Sequence, residues 1–220
     1  MAAIFDLDGL LLNTDPEIWL ESMHQVASAY QIPISTELLR HTRGLRIKEV
    51  TQFWNQYFGW KDDAKAQKIA EEIVDAVIFN THQKGKLMPG VLGLLESLKS
   101  HAVPMAVATS SPKRLTDDLL HFFQIKPYFQ TVQTADFCKY GKPHPEVYLN
   151  AAEALGIKSW QCVAFEDSIN GLVAAKAAKM LAVVVPEPNQ YLFPQFGIAD
   201  KKINSLLDFS YADYLELVRL

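Results

Sequence analysis

The sequence predicts an α/β fold, a parallel-sheet core with a helical cap inserted after the first strand. Two observations carry the prediction. Short apolar runs rich in β-branched residues recur at 103–108, 162–165 and 181–185, each followed by a turn and then a helical pattern. Between Asp15 and about Gly85 the period changes. No strand-like run occurs there, and apolar residues recur at helical spacing, as in Val50, Phe53, Trp54, Tyr57 and Phe58, and again in Ile69, Ile73 and Val77. Strands that alternate with helices imply right-handed crossovers, so the core is expected to be Rossmann-like.

Each element has its own warrant. Ile4-Phe5 closes the run Ala2-Ala3-Ile4-Phe5 and forms the first strand. Only five residues precede Asp6, so that strand is short and its edge of the sheet is expected to fray. The helical block follows, with Pro16 and the stretch Leu87-Met88-Pro89-Gly90 marking its junctions. Inserts in this position commonly act as lids that exclude water, and that role is expected here. Val103 to Ala108 is the second strand, Phe129-Gln130-Thr131-Val132 a weaker third, Cys162 to Phe165 the fourth and Leu181 to Val185 the fifth. The expected organisation is a five-strand core from residues 1–14 and 85–220, with a cap from 15–84.

Composition narrows the function classes. A chain of 220 residues with 49% hydrophobic and 21% charged residues can bury a sizeable core, which excludes disorder. A net charge of −4 argues against general nucleic-acid binding. Cys138 and Cys162 have no metal-ligand spacing and read as reduced thiols. The first apolar run is short and lacks a basic leader, and no stretch approaches the ~20 apolar residues that cross a bilayer. A cytoplasmic monomer with no membrane and no nucleic-acid partner is expected.

Four signals fall at strand ends, where open α/β sheets bind ligands. Asp6 and Asp8 follow the first strand, and residues two apart in an extended chain share a side. Gly9 permits a tight turn that leaves both acids on one pocket, one as nucleophile and the other as proton donor. Alone, such a stretch is also an ordinary acidic turn. Thr109-Ser110-Ser111-Pro112 opens a helix, where backbone N–H groups and a hydroxyl hold phosphoryl oxygens, although Ser or Thr before Pro is equally a cap. Lys142, fixed by Pro143 and Pro145, stands at a helix start that disfavours cations. It is expected to pair with Asp6 and with the phosphate. Glu166-Asp167-Ser168 brings two more acids, with a plain helix cap at Asp167 or Ser168 as the alternative. Beside Asp6 and Asp8 they would repel without a divalent cation, and hard oxygen ligands with a phosphate point to Mg2+.

In this order the four signals resemble the motifs of the haloacid dehalogenase superfamily of phosphotransferases, over essentially the whole chain. The length of the insert is similar to the small helical cap of the β-phosphoglucomutase-like branch. Asp8-Gly9-Leu10-Leu11-Leu12-Asn13-Thr14-Asp15-Pro16, Gly44-Leu45-Arg46-Ile47 and Glu166-Asp167-Ser168-Ile169-Asn170-Gly171 resemble bacterial sugar phosphatases acting on 2-deoxyglucose 6-phosphate and hexitol phosphates. The resemblance implies a Mg2+-dependent sugar phosphatase that hydrolyses small phosphorylated sugars or sugar alcohols through an aspartyl-phosphate. It makes Asp6 the nucleophile, and Asp8 the acid and then the base. The Asp6 and Asp167 carboxylates and the Asp8 backbone carbonyl become metal ligands, with Glu166 close by. Thr109, the Ser110 amide and Lys142 hold the phosphoryl oxygens. Asn13 stands where the family has a third Asp and reads as a turn-former.

Arg46 is a candidate for sugar hydroxyls or a second phosphate, whereas Arg43 reads as a solvated charge. Trp19, Trp54 and Trp60 could stack on a sugar; helical spacing favours the core for Trp54, and Trp60 can close the helix after Gly59. The six histidines show no ligand spacing. A sugar phosphomutase of the same branch is the alternative enzyme. A non-catalytic binder of phosphorylated metabolites would have no need of the intact Asp6, Asp8, Lys142 and Asp167.

Overall fold

The computed structural model describes residues 1–14, 16–35, 38–39 and 45–219. The chain divides into two compact units, Met1–Asn13 with Lys86–Leu220, and Thr14–Gly85. The first unit contains the strands β1 (Ala2–Phe5), β2 (Met105–Ala108), β3 (Thr131–Gln133), β4 (Cys162–Glu166), β5 (Leu181–Val184) and β6 (Lys201–Lys202). The second contains α1 (Glu17–Ala29), α2 (Ile47–Tyr57) and α3 (Asp63–Lys84). Helices α4 (Val91–Ser100), α5 (Lys113–Phe122), α6 (Glu146–Ala154), α7 (Ile169–Ala177) and α8 (Tyr211–Leu217) belong to the first.

The strands form one six-stranded parallel sheet in the order β3-β2-β1-β4-β5-β6. β1, β2 and β4 are buried at every position, which is why they read as continuous apolar runs. One face presents small residues, Ala106, Ala108, Ala164 and Ala182, and these let α6 and α7 pack close through Tyr148, Ala151, Leu172 and Ala175. On the other face the Phe5 and Phe165 rings stack 4.6 Å apart, and Phe209 meets Phe165 edge-on at 5.1 Å. The chain order reverses between β1 and β4, which makes the carboxyl ends of these two strands the switch point of the sheet.

Three expectations are corrected. The sheet has six strands, because Lys201–Lys202 pairs with β5; two lysines offer no apolar run to read. The third strand spans 131–133, since Phe129 instead turns its ring toward Phe5, at 6.1 Å. The first strand does not fray: it is central, paired with β2 and β4 on either side, and its residues are fully buried.

In the second unit α1 and α2 both pack on α3. Of the predicted stripe, Val50, Trp54, Ile69, Ile73 and Val77 are buried core, Phe53 and Phe58 are half-buried, and Tyr57 is exposed. Asn80 of α3 donates to Ser22 Oγ of α1 at 2.9 Å, a buried polar clasp between the helices. Asp62 caps α3 by accepting from the Lys65 N–H at 2.9 Å. No helix among the described residues is long and apolar enough to cross a membrane.

Two glycines in helices separate packing from propensity. A Cβ on Gly171 of α7 would lie 1.7 Å from Glu166 Oε1, whereas one on Gly93 of α4 meets nothing within 4 Å. Ala gains about 1 kcal/mol over Gly in a helix. Overpacking a buried site costs about 1–3 kcal/mol and here displaces a buried carboxylate. Urea midpoints are therefore expected to rise for Gly93→Ala and to fall for Gly171→Ala. Cys162 opens β4, is fully buried, and donates its thiol to Lys158 O at 3.5 Å; burial pushes the thiol up to about 11. Iodoacetamide at pH 8 is expected to label Cys162 only after denaturation, as read by mass spectrometry of the native and unfolded protein.

Candidate active site

Asp6 extends the ladder one residue past β1, its N–H donating to Phe165 O at 3.0 Å. With Phe5 in register with Phe165, Asp6 comes level with Glu166 at the end of β4. The chain then folds back: the Gly9 N–H reaches Leu12 O at 2.8 Å, and the Leu12 N–H reaches Leu7 O at 3.0 Å. Gly9 has φ +81°, and a Cβ there would sit 2.2 Å from Asp167 Oδ2. Both the turn and the approach of Asp167 thus require glycine. Asn13 accepts the Lys86 N–H at 2.5 Å, which is a turn contact and not a ligand position.

Lys142 comes from the loop before α6 and reaches under the sheet ends. Its Nζ donates to Asp6 Oδ1 at 2.6 Å, to Glu166 Oε1 at 2.6 Å and to Ala108 O at 3.0 Å. An ammonium has three N–H donors, and four oxygens share them here, the Tyr148 hydroxyl at 3.4 Å being the fourth. The pairing with Asp6 expected of Lys142 is present, and the same Nζ ties β1, β2 and β4 together. The Tyr148 hydroxyl donates to Glu166 Oε1 at 2.7 Å, and Nζ lies 4.9 Å from the centre of the Tyr148 ring. Glu166 Oε2 accepts the N–H groups of Asp167 and Ser168 at 3.1 and 3.2 Å and the Ser168 hydroxyl at 3.0 Å. Ser168 also caps α7.

Charge in this site is unbalanced. Burial would raise Glu166, but Lys142 and the hydrogen bonds from Tyr148 and Ser168 hold its carboxyl below the usual range. Burial would lower Lys142, but Asp6 and Glu166 hold it well above its usual value. Asp6 goes the other way: burial outweighs the pull of Lys142, Glu166 and Asp8 add repulsion, and its pKa is pushed up to about 8.

The donor set fits a divalent cation. Carboxylate oxygens of Asp6, Glu166 and Asp167, all buried, lie within 4.8 Å of one another. These are hard oxygens, and Lys142 is the one cation that Asp6 and Glu166 share. Gly9 keeps clear the space that Asp167 occupies.

The remaining expected residues fall in two places. The Thr109 N–H donates to Gln133 O at 3.0 Å, and its hydroxyl accepts the Ser111 N–H at 3.0 Å. Ser111 Oγ in turn donates to Asp8 Oδ2 at 2.6 Å, and Ser110 lies half-buried between them in the same turn. Arg46 belongs to the second unit, where its N–H and Nη2 donate to Glu49 at 2.9 and 2.5 Å. Arg43 and Gly44 lie outside the described residues. Trp60 stacks on Phe58 at 5.7 Å after the helix ends, and Trp54 is core.

Two residues of the site were missed from the sequence. Tyr148 belongs to an apolar helix face with Val147, Ala151 and Ala152, so spacing assigns it to the core, where its ring does lie. Ser111 was visible as part of the hydroxyl cluster, but nothing local tells which hydroxyl reaches Asp8.

Comparison with known proteins agrees with this geometry. The family described as haloacid dehalogenase-like hydrolase matches residues 3–185. Hexitol phosphatase B of Escherichia coli K12 is 35% identical over 216 residues, 98% of this chain and 96% of the relative. The phosphorylated carbohydrates phosphatase of Thermotoga maritima is 34% identical over 177 residues, 80% of this chain and 81% of the relative. A family IA HAD hydrolase from Entamoeba histolytica shares the fold, with TM-score 0.86 at 23% identity, covering 100% of this chain and 99% of that one. A match across most of the sheet, with carboxylates gathered at its switch point, places this chain in the haloacid dehalogenase-like hydrolase family.

Proposed function

We propose that the chain is a Mg2+-dependent phosphatase of small phosphorylated sugars or sugar alcohols, acting through an aspartyl-phosphate on Asp6. The observation that carries this reading is Asp6 itself, a buried carboxylate fixed by Lys142 at 2.6 Å beside the Glu166–Asp167 pair. The substrate class is supported by relatives named as phosphatases of hexitols and of phosphorylated carbohydrates. Two free thiols suit a reducing, cytoplasmic setting.

Asp6, Asp167 and the Asp8 backbone carbonyl would hold the ion, with Glu166 beside them. When bound, Mg2+ supplies the positive charge that lets a phosphate dianion approach these carboxylates. Asp6 attacks phosphorus in line. As its new O–P bond forms, the bond from phosphorus to the sugar oxygen breaks, and Asp8 gives that oxygen a proton. Asp8 then takes a proton from water, which attacks the phosphorus of the aspartyl-phosphate and frees Asp6 and inorganic phosphate. The Thr109 hydroxyl and the Ser110 amide receive the phosphoryl oxygens. Arg46 reads the leaving group through its guanidinium donors.

Asp6→Asn is expected to keep the circular dichroism of the parent and to lose roughly 10^4-fold or more of Mg2+-dependent phosphate release from a panel of hexose, deoxyhexose and hexitol phosphates. Substantial residual release would overturn the nucleophile assignment, and an isomerised sugar phosphate in place of free phosphate would make the chain a phosphomutase. Arg46→Ala is expected to change kcat/KM about tenfold among the sugars and to lower p-nitrophenyl phosphate turnover much less. Equal losses on both would point to a damaged helical unit.

A further inference from the structure

The hydroxyl of Ser111 has no ordinary structural duty. A serine just before a proline and a helix would be expected to cap it. Here the N-cap of α5 is Pro112, and Ser111 accepts no N–H of that helix. Its hydroxyl instead crosses to a residue 103 positions away and donates to Asp8 Oδ2 at 2.6 Å, a length typical of a hydroxyl on a carboxylate. Ser111 is held from two sides. Its own N–H is bonded to Thr109 Oγ1 at 3.0 Å, and Pro112 restricts the chain that follows. At 5% exposure it has little room to turn elsewhere.

We propose that Ser111 is the positioning residue of the proton donor, setting which Asp8 oxygen faces the leaving group. This rests on the reading of Asp8 as the acid. A protonated carboxyl has one oxygen that carries the proton and one that only accepts. With the Ser111 hydroxyl donating to Oδ2, the acid form keeps its proton on Oδ1. The P–O bond to the sugar breaks, its electron pair stays on the sugar oxygen, and the Oδ1 proton goes to that oxygen. Asp8 is left ionised, with the Ser111 hydrogen bond still in place. Lys142 does not serve this duty: its Nζ bonds Asp6, Glu166, Ala108 and Tyr148. The same serine also ties the acid to Thr109, so the proton donor and a phosphate-binding hydroxyl keep one spacing.

The dependence of kcat/KM on the leaving group tests the proposal, because kcat/KM reports only events up to the expulsion of the leaving group. An alkoxide leaving group needs a proton, whereas 2,4-dinitrophenolate does not. Ser111→Ala is expected to lower kcat/KM for a hexitol phosphate by about 10- to 100-fold and for 2,4-dinitrophenyl phosphate by about threefold or less. Ser111→Cys, which puts a larger and more weakly donating thiol at the same place, is expected to fall between the parent and Ser111→Ala. Asp8→Asn, run in parallel, should show the same selectivity with a larger loss. Equal losses on both substrates in the Ser111 variants, with Asp8→Asn still selective, would overturn the proposal and leave the acid assignment standing. Loss of selectivity in Asp8→Asn itself would instead overturn the acid assignment.

Discussion

The buried ammonium of Lys142 is the contact on which the rest of the site depends. Two carboxylates are brought level by strand register, since pairing Phe5 with Phe165 sets Asp6 beside Glu166. That register cannot slip cheaply, because strands buried on both faces would lose every side-chain contact at once. The chain therefore forces two acids together in a dry place, and one lysine bridges them at 2.6 Å on each side. Removing one partner of such a buried group costs about 3–5 kcal/mol, because the charges left behind are unpaired. The third donor, to Ala108 O, fastens β2 to the same point, so three strand ends share one cation.

Lys142 gives these strand ends one shared, buried positive charge. Glu166 is equally engaged, with one oxygen facing Lys142 and Tyr148 and the other facing Asp167 and Ser168. Asp167 fills the space that Gly9 leaves open, and its carboxylate lies close to those of Asp6 and Glu166. The close fit of Gly171 against Glu166 belongs to the same logic: α7 can approach β4 only where a side chain is missing.

Most of the sheet was legible because parallel strands buried on both faces must be apolar throughout, and 103–108, 162–165 and 181–185 are. The helical block was legible from spacing, with Trp54, Ile69 and Ile73 buried as the stripe requires. What could not be read was whatever depends on partners far away in sequence. β6 is a strand only because β5 offers it an edge. Chain position said nothing of neighbours, so the first strand, expected to fray, proved central. Within the site, the acids and the lysine were legible as residue types at strand ends. The destinations of the lysine's donors, the duty of Tyr148 and the reach of Ser111 to Asp8 depend on long-range geometry that no local pattern encodes.

That geometry also suits the different roles proposed for two aspartates only two residues apart. Asp6 is buried and anchored by a cation, and its neighbours are carboxylates. Asp8 lies past the point where the strand ends, half-buried at the turn, and a neutral hydroxyl holds one of its oxygens. A group that attacks phosphorus must be held rigidly and kept from wandering toward other donors, which a charged bridge does well. A group that first gives and then takes a proton is better served by a partner that donates to it in both protonation states without adding charge. The strand ends at Phe5, the anchored carboxylate comes next, and Gly9 turns the chain away just after the second acid. Along an extended segment two residues is the shortest spacing that returns to the same side, and here the change from sheet to turn within that spacing gives the two acids different surroundings.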